Sequence, residues 1–316
     1  MLKSVFTVSF YTSISRVLGF IRDIFIASYM GSTIVADAFF VAFRIPNYFR
    51  RIFAEGAFSS AFIPVLTGLI NKPKNDKEII HFIEHTMSLL FFVLICISIL
   101  FYFIMPLVIA ILAPGFVGNK EVYDLAVHFG KVVFPYLLFI ALVAQFSSIT
   151  NSYNRFALGA FVPSLLNISF IGSLMFFTPY VSTPGHALSY AVLFGGIVQF
   201  IVMYYAIYKM QITPVLVLPK IDNNIKKFLK LFFPSILGSG VIQLNIIIGT
   251  IIASFLPTGA ISHLYYADRI TQLPLAIFGT ALGIALLPTL SQYIKQGAHE
   301  DKIFFTQNRS IEFSLL

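Results

Sequence analysis

The chain has 316 residues, 58% of them hydrophobic and only 11% charged, with a formal net charge of +8 and a mean hydropathy of +0.88. A soluble domain carries about 25% charged residues, so a soluble enzyme or solvated binding module is excluded and the class is an all-α integral membrane protein. The positive excess gathers in loops on one side of the predicted spans; it therefore sets orientation, and nucleic-acid binding is excluded as its explanation.

A helical span needs about 20 predominantly apolar residues. The hydrophobic runs predict a polytopic bundle of eight complete spans, near 4–28, 34–68, 83–112, 126–150, 157–178, 185–208, 229–256 and 262–293, and part of a ninth that begins near 303. The sequence stops at Leu316 inside that ninth run, which reads as a piece of a longer transporter. The start resembles a signal peptide only in Lys3, and the first run, broken by Arg16 and Arg22, reads as a mature helix.

The first two spans carry unusual charge. "SRVLGFIRDIFIASYMG" (15–31) holds Arg16, Arg22 and Asp23, and "DAFFVAFRIPNYFRRIFAEGAF" (37–58) holds Asp37, Arg44, Arg50, Arg51 and Glu55. A charge at the bilayer centre costs about 2.5–3.5 kcal/mol on insertion scales. Arg50 and Arg51 lie close enough to a helix end to snorkel, whereas Arg16 and Arg22 are too deep. At about 100° per residue Arg16 and Asp23 share one face, as do Asp37, Arg44 and Arg51. Five arginines against three acids leave two positive charges over, a surplus suited to an anionic ligand in a wet cavity. Arginine also fits phosphate or carboxylate bidentately and stays charged when partly desolvated.

The third span opens on "HFIEH" (81–85), a short match to a zinc-protease pattern. It follows a Lys-rich loop, and without a third ligand in a recognisable context it reads as polar capping of a membrane helix, so neither a metal nor a cofactor is expected. Cys96 in the same span reads as a small apolar residue. With the N-terminus cytoplasmic, the cytoplasmic loops hold Lys72, Lys74, Lys77, Arg155, Lys209, Lys220, Lys226, Lys227, Lys230, Lys295 and Lys302, and the opposite loops only Lys120. That bias fixes the orientation.

In the eighth span "YYADRI" supplies Asp268 and Arg269. It belongs to an internal echo, in which "ASYMGSTIVADAFFVAFRIPNYFRRIFAEGAFSSAFIPVL" (27–66) matches "ASFLPTGAISHLYYADRITQLPLAIFGTALGIALLPTL" (253–290) in the order of Ala-Ser, paired aromatics, Ile-Phe and a late Pro-x-Leu. Parallel repeats of this kind build two-lobed transporters with a central site. The expected layout is an N-lobe of six spans over 1–208, a Lys-rich cytoplasmic linker over 209–228, and the start of a C-lobe over 229–316.

The stretches "SRVLGFIRD", "ADAFFVAFRIPNYFRRIFAEGAFSSAFIPVL" and "ASFLPTGAISHLYYADRITQLPLAIFGTALGIALLPTLS" resemble the MurJ (MviN) lipid II flippase family of the multidrug/oligosaccharidyl-lipid/polysaccharide exporter superfamily. The resemblance implies a multi-pass transporter of the bacterial inner membrane, not an enzyme. Such a transporter flips the undecaprenyl-pyrophosphate-linked peptidoglycan precursor outward by alternating access. It implies lipid II and membrane lipids as partners, with cell-wall synthesis proteins as a further expectation. Carried over by motif, Arg16, Arg22, Arg50 and Arg269 would meet the pyrophosphate, and Asp23 would pair with them. Asp37 and Asp268 would gate or brace, with Ser15 and Asn47 in supporting places. Some members carry an acid, associated with sodium, where this chain has Gly249. Two other readings follow from the same residues: a flippase for another polyprenyl-linked oligosaccharide, and a non-transporting cell-wall scaffold. A drug–cation antiporter would instead favour carboxylates in excess.

Overall fold

The computed structural model describes residues 2–52, 57–72 and 76–271. They form α1 (Leu2–Met30), α2 (Ile34–Ile52), α3 (Phe58–Ile70), α4 (Asp76–Leu112), α5 (Lys120–Val133), α6 (Tyr136–Ser152), α7 (Ala157–Gly172), α8 (Pro184–Tyr208) and α9 (Asn223–Ala253). A further helix, α10, covers 260–271. The chain divides into two compact units, Met1–His263 and Leu264–Leu316. Of the second, only 264–271 lie among the described residues, so most of the eighth predicted span and the whole ninth run fall outside them.

Four helical stretches among the described residues are long and apolar enough to cross a membrane: Asp76–Leu112, Lys120–Ser152, Ala157–Tyr180 and Pro184–Tyr208. They coincide with the third to sixth predicted spans. α1 and α9, 29 and 31 residues long, match the first and seventh in place; at 1.5 Å per residue each exceeds a hydrocarbon core of about 30 Å. Two expected single helices are divided. The run 126–150 becomes α5 and α6, parted at Phe134–Pro135, because proline lacks an amide hydrogen and its ring crowds the preceding turn. The run 34–68 becomes α2 and α3, on either side of 53–56, which lie outside the described residues.

The packing of the first unit follows from its side chains. α2 is buried almost all round from Ala36 to Phe43 and runs along α5, with α6 and α8 beside it. A helix apolar on every side belongs in an interior. Here Phe39 stacks on Phe43 at 5.6 Å and meets the edges of Phe129 and Phe170. α1 lies along α7, and its other side, including Val17, Phe20 and Ile24, is exposed. α4 likewise exposes Ile99, Leu100, Phe103, Leu107 and Ile111, a surface suited to hydrocarbon.

α9 joins this unit through aromatics. Phe228 reaches Phe58 at 5.3 Å and stacks with Phe232, while Phe62 stacks on Phe82 of α4 at 5.0 Å. The segment before it is extended, and here the HFIEH motif finds its use. His81, Glu84, His85 and Ser88 recur at helical spacing along one side of α4. The Glu84 carboxylate accepts from Val215 N at 3.1 Å, the Ser88 hydroxyl from Val217 N at 2.9 Å, and His85 Nδ1 from Lys220 N at 3.2 Å. His81 lies 3.5 Å from Asp222, whose other oxygen caps α9 by accepting from Ile225 N at 2.8 Å. That cap starts α9 at Asn223, six residues before the predicted span.

Candidate functional site

The charges of α1 separate into one buried group and one exposed residue. Arg22 is paired with the adjacent acid: its Nε and Nη2 both donate to Asp23 Oδ1, at 2.9 and 2.6 Å. Its Nη1 donates to Asn167 Oδ1 on α7 at 2.9 Å, and Asn167 Nδ2 donates back to the Ser15 carbonyl at 3.0 Å. The guanidinium also lies 5.5 Å from the centroid of Phe170. Both charged side chains are about 90% buried, with relative exposures of 11% and 10%. A buried pair needs its remaining donors satisfied, and Asn167 supplies that partner. A guanidinium has five N–H donors; three are used here, so two remain uncommitted among the described residues.

Arg16 sits six residues earlier on the exposed side of α1, about 9 Å away along the helix axis. No side chain among the described residues pairs with it. The shared face expected for Arg16 and Asp23 is therefore split in its surroundings: Asp23 is buried and Arg16 is exposed.

A second cluster ties together the end of the unit where α1 stops, α2 starts and α9 finishes. Asp37, in the first turn of α2 and 4% exposed, accepts from Gly259 N at 2.6 Å, Ser262 N at 2.8 Å and Ser262 Oγ at 2.5 Å. It thus caps the start of α10 from another helix, placing a negative charge where free amide hydrogens point. Gly259 has φ +94°, and a Cβ there would lie 2.8 Å from the Ser32 carbonyl oxygen, so the turn calls for glycine twice over. Arg44 hydrogen-bonds Thr250 of α9, and Gly115 N donates to Ser254 Oγ at 3.0 Å.

At Gly115 a Cβ would stand 2.0 Å from the Ser254 carbonyl oxygen, a backbone atom that cannot rotate away. Gly115→Ala is therefore expected to cost about 2–3 kcal/mol, the upper part of the overpacking range, read as a lowered unfolding temperature in detergent. An unchanged temperature would mean that the two segments do not meet.

The remaining expected residues are placed differently. Arg50 Nε donates to Asn47 Oδ1 at 2.9 Å, a contact one turn apart within α2. Asp268 and Arg269 belong to the second unit, in which the Arg269 guanidinium lies 4.9 Å over Tyr265. Glu55 lies outside the described residues. At Gly249, a Cβ would meet nothing within 4 Å. Asn167, Thr250, Gly259 and Ser262 were not singled out by the sequence reading. Asn167 at least carries a usable signal, a polar amide inside an apolar 24-residue helical stretch.

With this geometry in hand, comparison with known proteins gives a consistent picture. The profile of the family described as "Lipid II flippase MurJ" matches residues 26–316. A "Probable lipid II flippase MurJ" of Buchnera aphidicola subsp. Acyrthosiphon pisum is 41% identical over 300 residues, 94% of this chain and 58% of that protein. The "Lipid II flippase MurJ" of Burkholderia cenocepacia is 37% identical over 95% of this chain and 59% of its own length. The chain thus spans just under three fifths of the length of these relatives. Among solved structures, "Lipid II flippase MurJ, inward closed conformation" superposes with a TM-score of 0.76 at 31% identity, over 91% of this chain and 59% of that one. A transporter of the MOP superfamily from Pyrococcus furiosus shares the fold, with a TM-score of 0.64 at 15% identity.

Proposed function

Because the chain belongs to the MurJ lipid II flippase family, we propose that it serves to move lipid II across the bacterial inner membrane by alternating access, without covalent chemistry. In this reading the N-terminus is cytoplasmic, eight spans and part of a ninth form a six-span lobe (1–208), a linker (209–228) and the start of a second lobe (229–316), and the arginines receive the pyrophosphate. Arg16 makes the first contact. Arg22 offers the two N–H groups left uncommitted among the described residues while Asp23 and Asn167 hold its plane, and Arg269 contributes from the eighth span. Arg50, with Asn47, orients α2. The lipid tail stays in the bilayer throughout, since hydrocarbon gains nothing by leaving it.

The observation that carries this reading is the contrast between Arg16 and Arg22 on one helix. A buried, paired arginine is explained by structure. A guanidinium left open in mid-helix costs insertion free energy and has no partner among the described residues to offset that cost, which supports an anionic ligand. The Asp37 cluster supports the cycle: a closure made of hydrogen bonds at one end can be exchanged for an opposite closure.

The test is lipid II translocation in vesicles containing the chain. Arg16→Ala is expected to reduce movement of labelled lipid II about ten-fold or more, the worth of one hydrogen bond to a charged group. Its unfolding temperature should stay near wild type, as for other exposed substitutions. Arg16→Lys should recover part of the rate, since charge returns without the fork. Normal translocation by Arg16→Ala would remove the mechanism and favour a non-transporting scaffold.

A further inference from the structure

A groove of about 600 Å³ lies between the start of α1, the α6–α7 turn and the end of α8, apart from every residue assigned to translocation. Its walls are largely apolar, with Phe156, Ala157, Leu158, Val202, Ala206 and Met210. Among the described residues two cations stand at it on different elements: Arg155 in the turn after α6, and Lys209 directly after α8. The Arg155 amide donates to the Thr150 carbonyl at 2.8 Å, just after Asn154 turns the chain at φ 58°, so the arginine leaves from a fixed backbone point. Lys209 Nζ lies 4.7 Å over the ring of Tyr205, which also lines the groove. Among the described residues no carboxylate lines it.

We propose that this groove holds one anionic phospholipid, its phosphate between Arg155 and Lys209 and an acyl chain along the apolar wall. α7 with its extension and α8 are both of membrane-crossing length, so the ends that frame the groove lie at headgroup level, where tyrosine and snorkelling cations belong. Charge chooses the headgroup. A zwitterionic lipid carries its own ammonium beside the phosphate, whereas phosphatidylglycerol keeps a net negative charge for the two cations, with no acid among the described lining residues. The apolar walls choose a lipid over a soluble anion, and the volume falls within the 300–1,000 Å³ of ordinary ligand sites. The site requires only that this end of the bundle meets the membrane surface; it stands whether or not lipid II is the transported molecule.

The chain contains no tryptophan, so a single introduced one reports its own surroundings. In the full chain carrying Leu158→Trp, in vesicles of mixed phosphatidylglycerol and phosphatidylcholine, quenching is compared when one or the other lipid carries brominated chains. Brominated phosphatidylglycerol is expected to occupy the position about five-fold in preference, the value of one cation near a membrane surface, and more if both act together. Arg155→Gln/Lys209→Gln should abolish the preference, while Arg155→Lys/Lys209→Arg, which keeps charge and guards against a folding defect, should retain it. Phe92→Trp, on the exposed side of α4, should show no preference. Equal quenching by both lipids at Leu158→Trp, a preference that survives the double glutamine variant, or the same preference at Phe92→Trp would overturn the site. Loss of the preference on adding millimolar inorganic phosphate would overturn it too, assigning the cations to a soluble anion.

Discussion

Asp37→Ala is expected to destabilise the protein by about 3–5 kcal/mol and to release the end of the bundle where α2, α9 and α10 meet. One carboxylate there accepts three hydrogen bonds, two from backbone amides and one from a hydroxyl. Hydrogen bonds to a charged group contribute about 1.5–3 kcal/mol each, and removing the acceptor leaves buried donors without partners. The Ser262 hydroxyl can turn elsewhere, but the Gly259 and Ser262 amides cannot. Asp37→Asn should cost about half as much: the amide keeps one acceptor oxygen and turns an NH₂ toward the other donor. The loss is read as a lower unfolding midpoint. The opening is read with Ser254→Cys, a position 5% exposed beside Gly115, whose thiol should react with a membrane-impermeant maleimide at least ten-fold faster in the Asp37→Ala background. If labelling and translocation both stayed at the wild-type level, the cluster would not be a closure.

Arg22→Ala should be nearly as damaging, at about 3–5 kcal/mol, because it takes one half of a buried ion pair away from the Asp23 carboxylate. Asp23→Ala should do similar harm from the other side, leaving Arg22 with Asn167 as its remaining hydrogen-bond partner among the described side chains. The informative variant is the double. Arg22→Ala/Asp23→Ala should be milder than the sum of the singles by about 2 kcal/mol, since groups in one ion-pair network couple by about 0.5–3 kcal/mol. Lipid II binding should nevertheless stay lost in the double, because stability returns with charge balance while the guanidinium proposed to meet the pyrophosphate does not. Additive stability losses would show that the pair does not act as a unit, and recovered binding would remove Arg22 from the substrate path.

Much of this arrangement was legible in the residues, and the gaps have physical causes. Hydropathy located α4, α7 and α8 because long apolar runs leave one solution in a bilayer, with every backbone group satisfied within the helix. It missed the break at Pro135, since apolar residues continue through the turn and composition alone does not register a lost amide hydrogen. The cost of buried charge drew attention to Arg22 and Asp23, which lie buried as a pair. It also grouped Arg16 with Asp23, because phase on an isolated helix does not say which positions of one face a neighbour covers. Asp37 stood out as an acid in an apolar run. Its partners did not, since two of its three donors are main-chain amides present at nearly every position. Polar capping accounts for only part of the HFIEH motif; its spacing of three and four residues is the better clue, marking a stripe that faces one companion.

That companion has a consequence of its own. The extended stretch from Val215 to Lys220 is held on α4 by its amide hydrogens, while the side chains of Val215, Leu216 and Leu218 point outward and are more than half exposed. A tether gripped by its main chain is almost indifferent to spelling. Changes of side chain along it should leave the grip intact, save that proline at 215, 217 or 220 would remove a rung, and the native Pro214 and Pro219 each occupy a place where no rung is made.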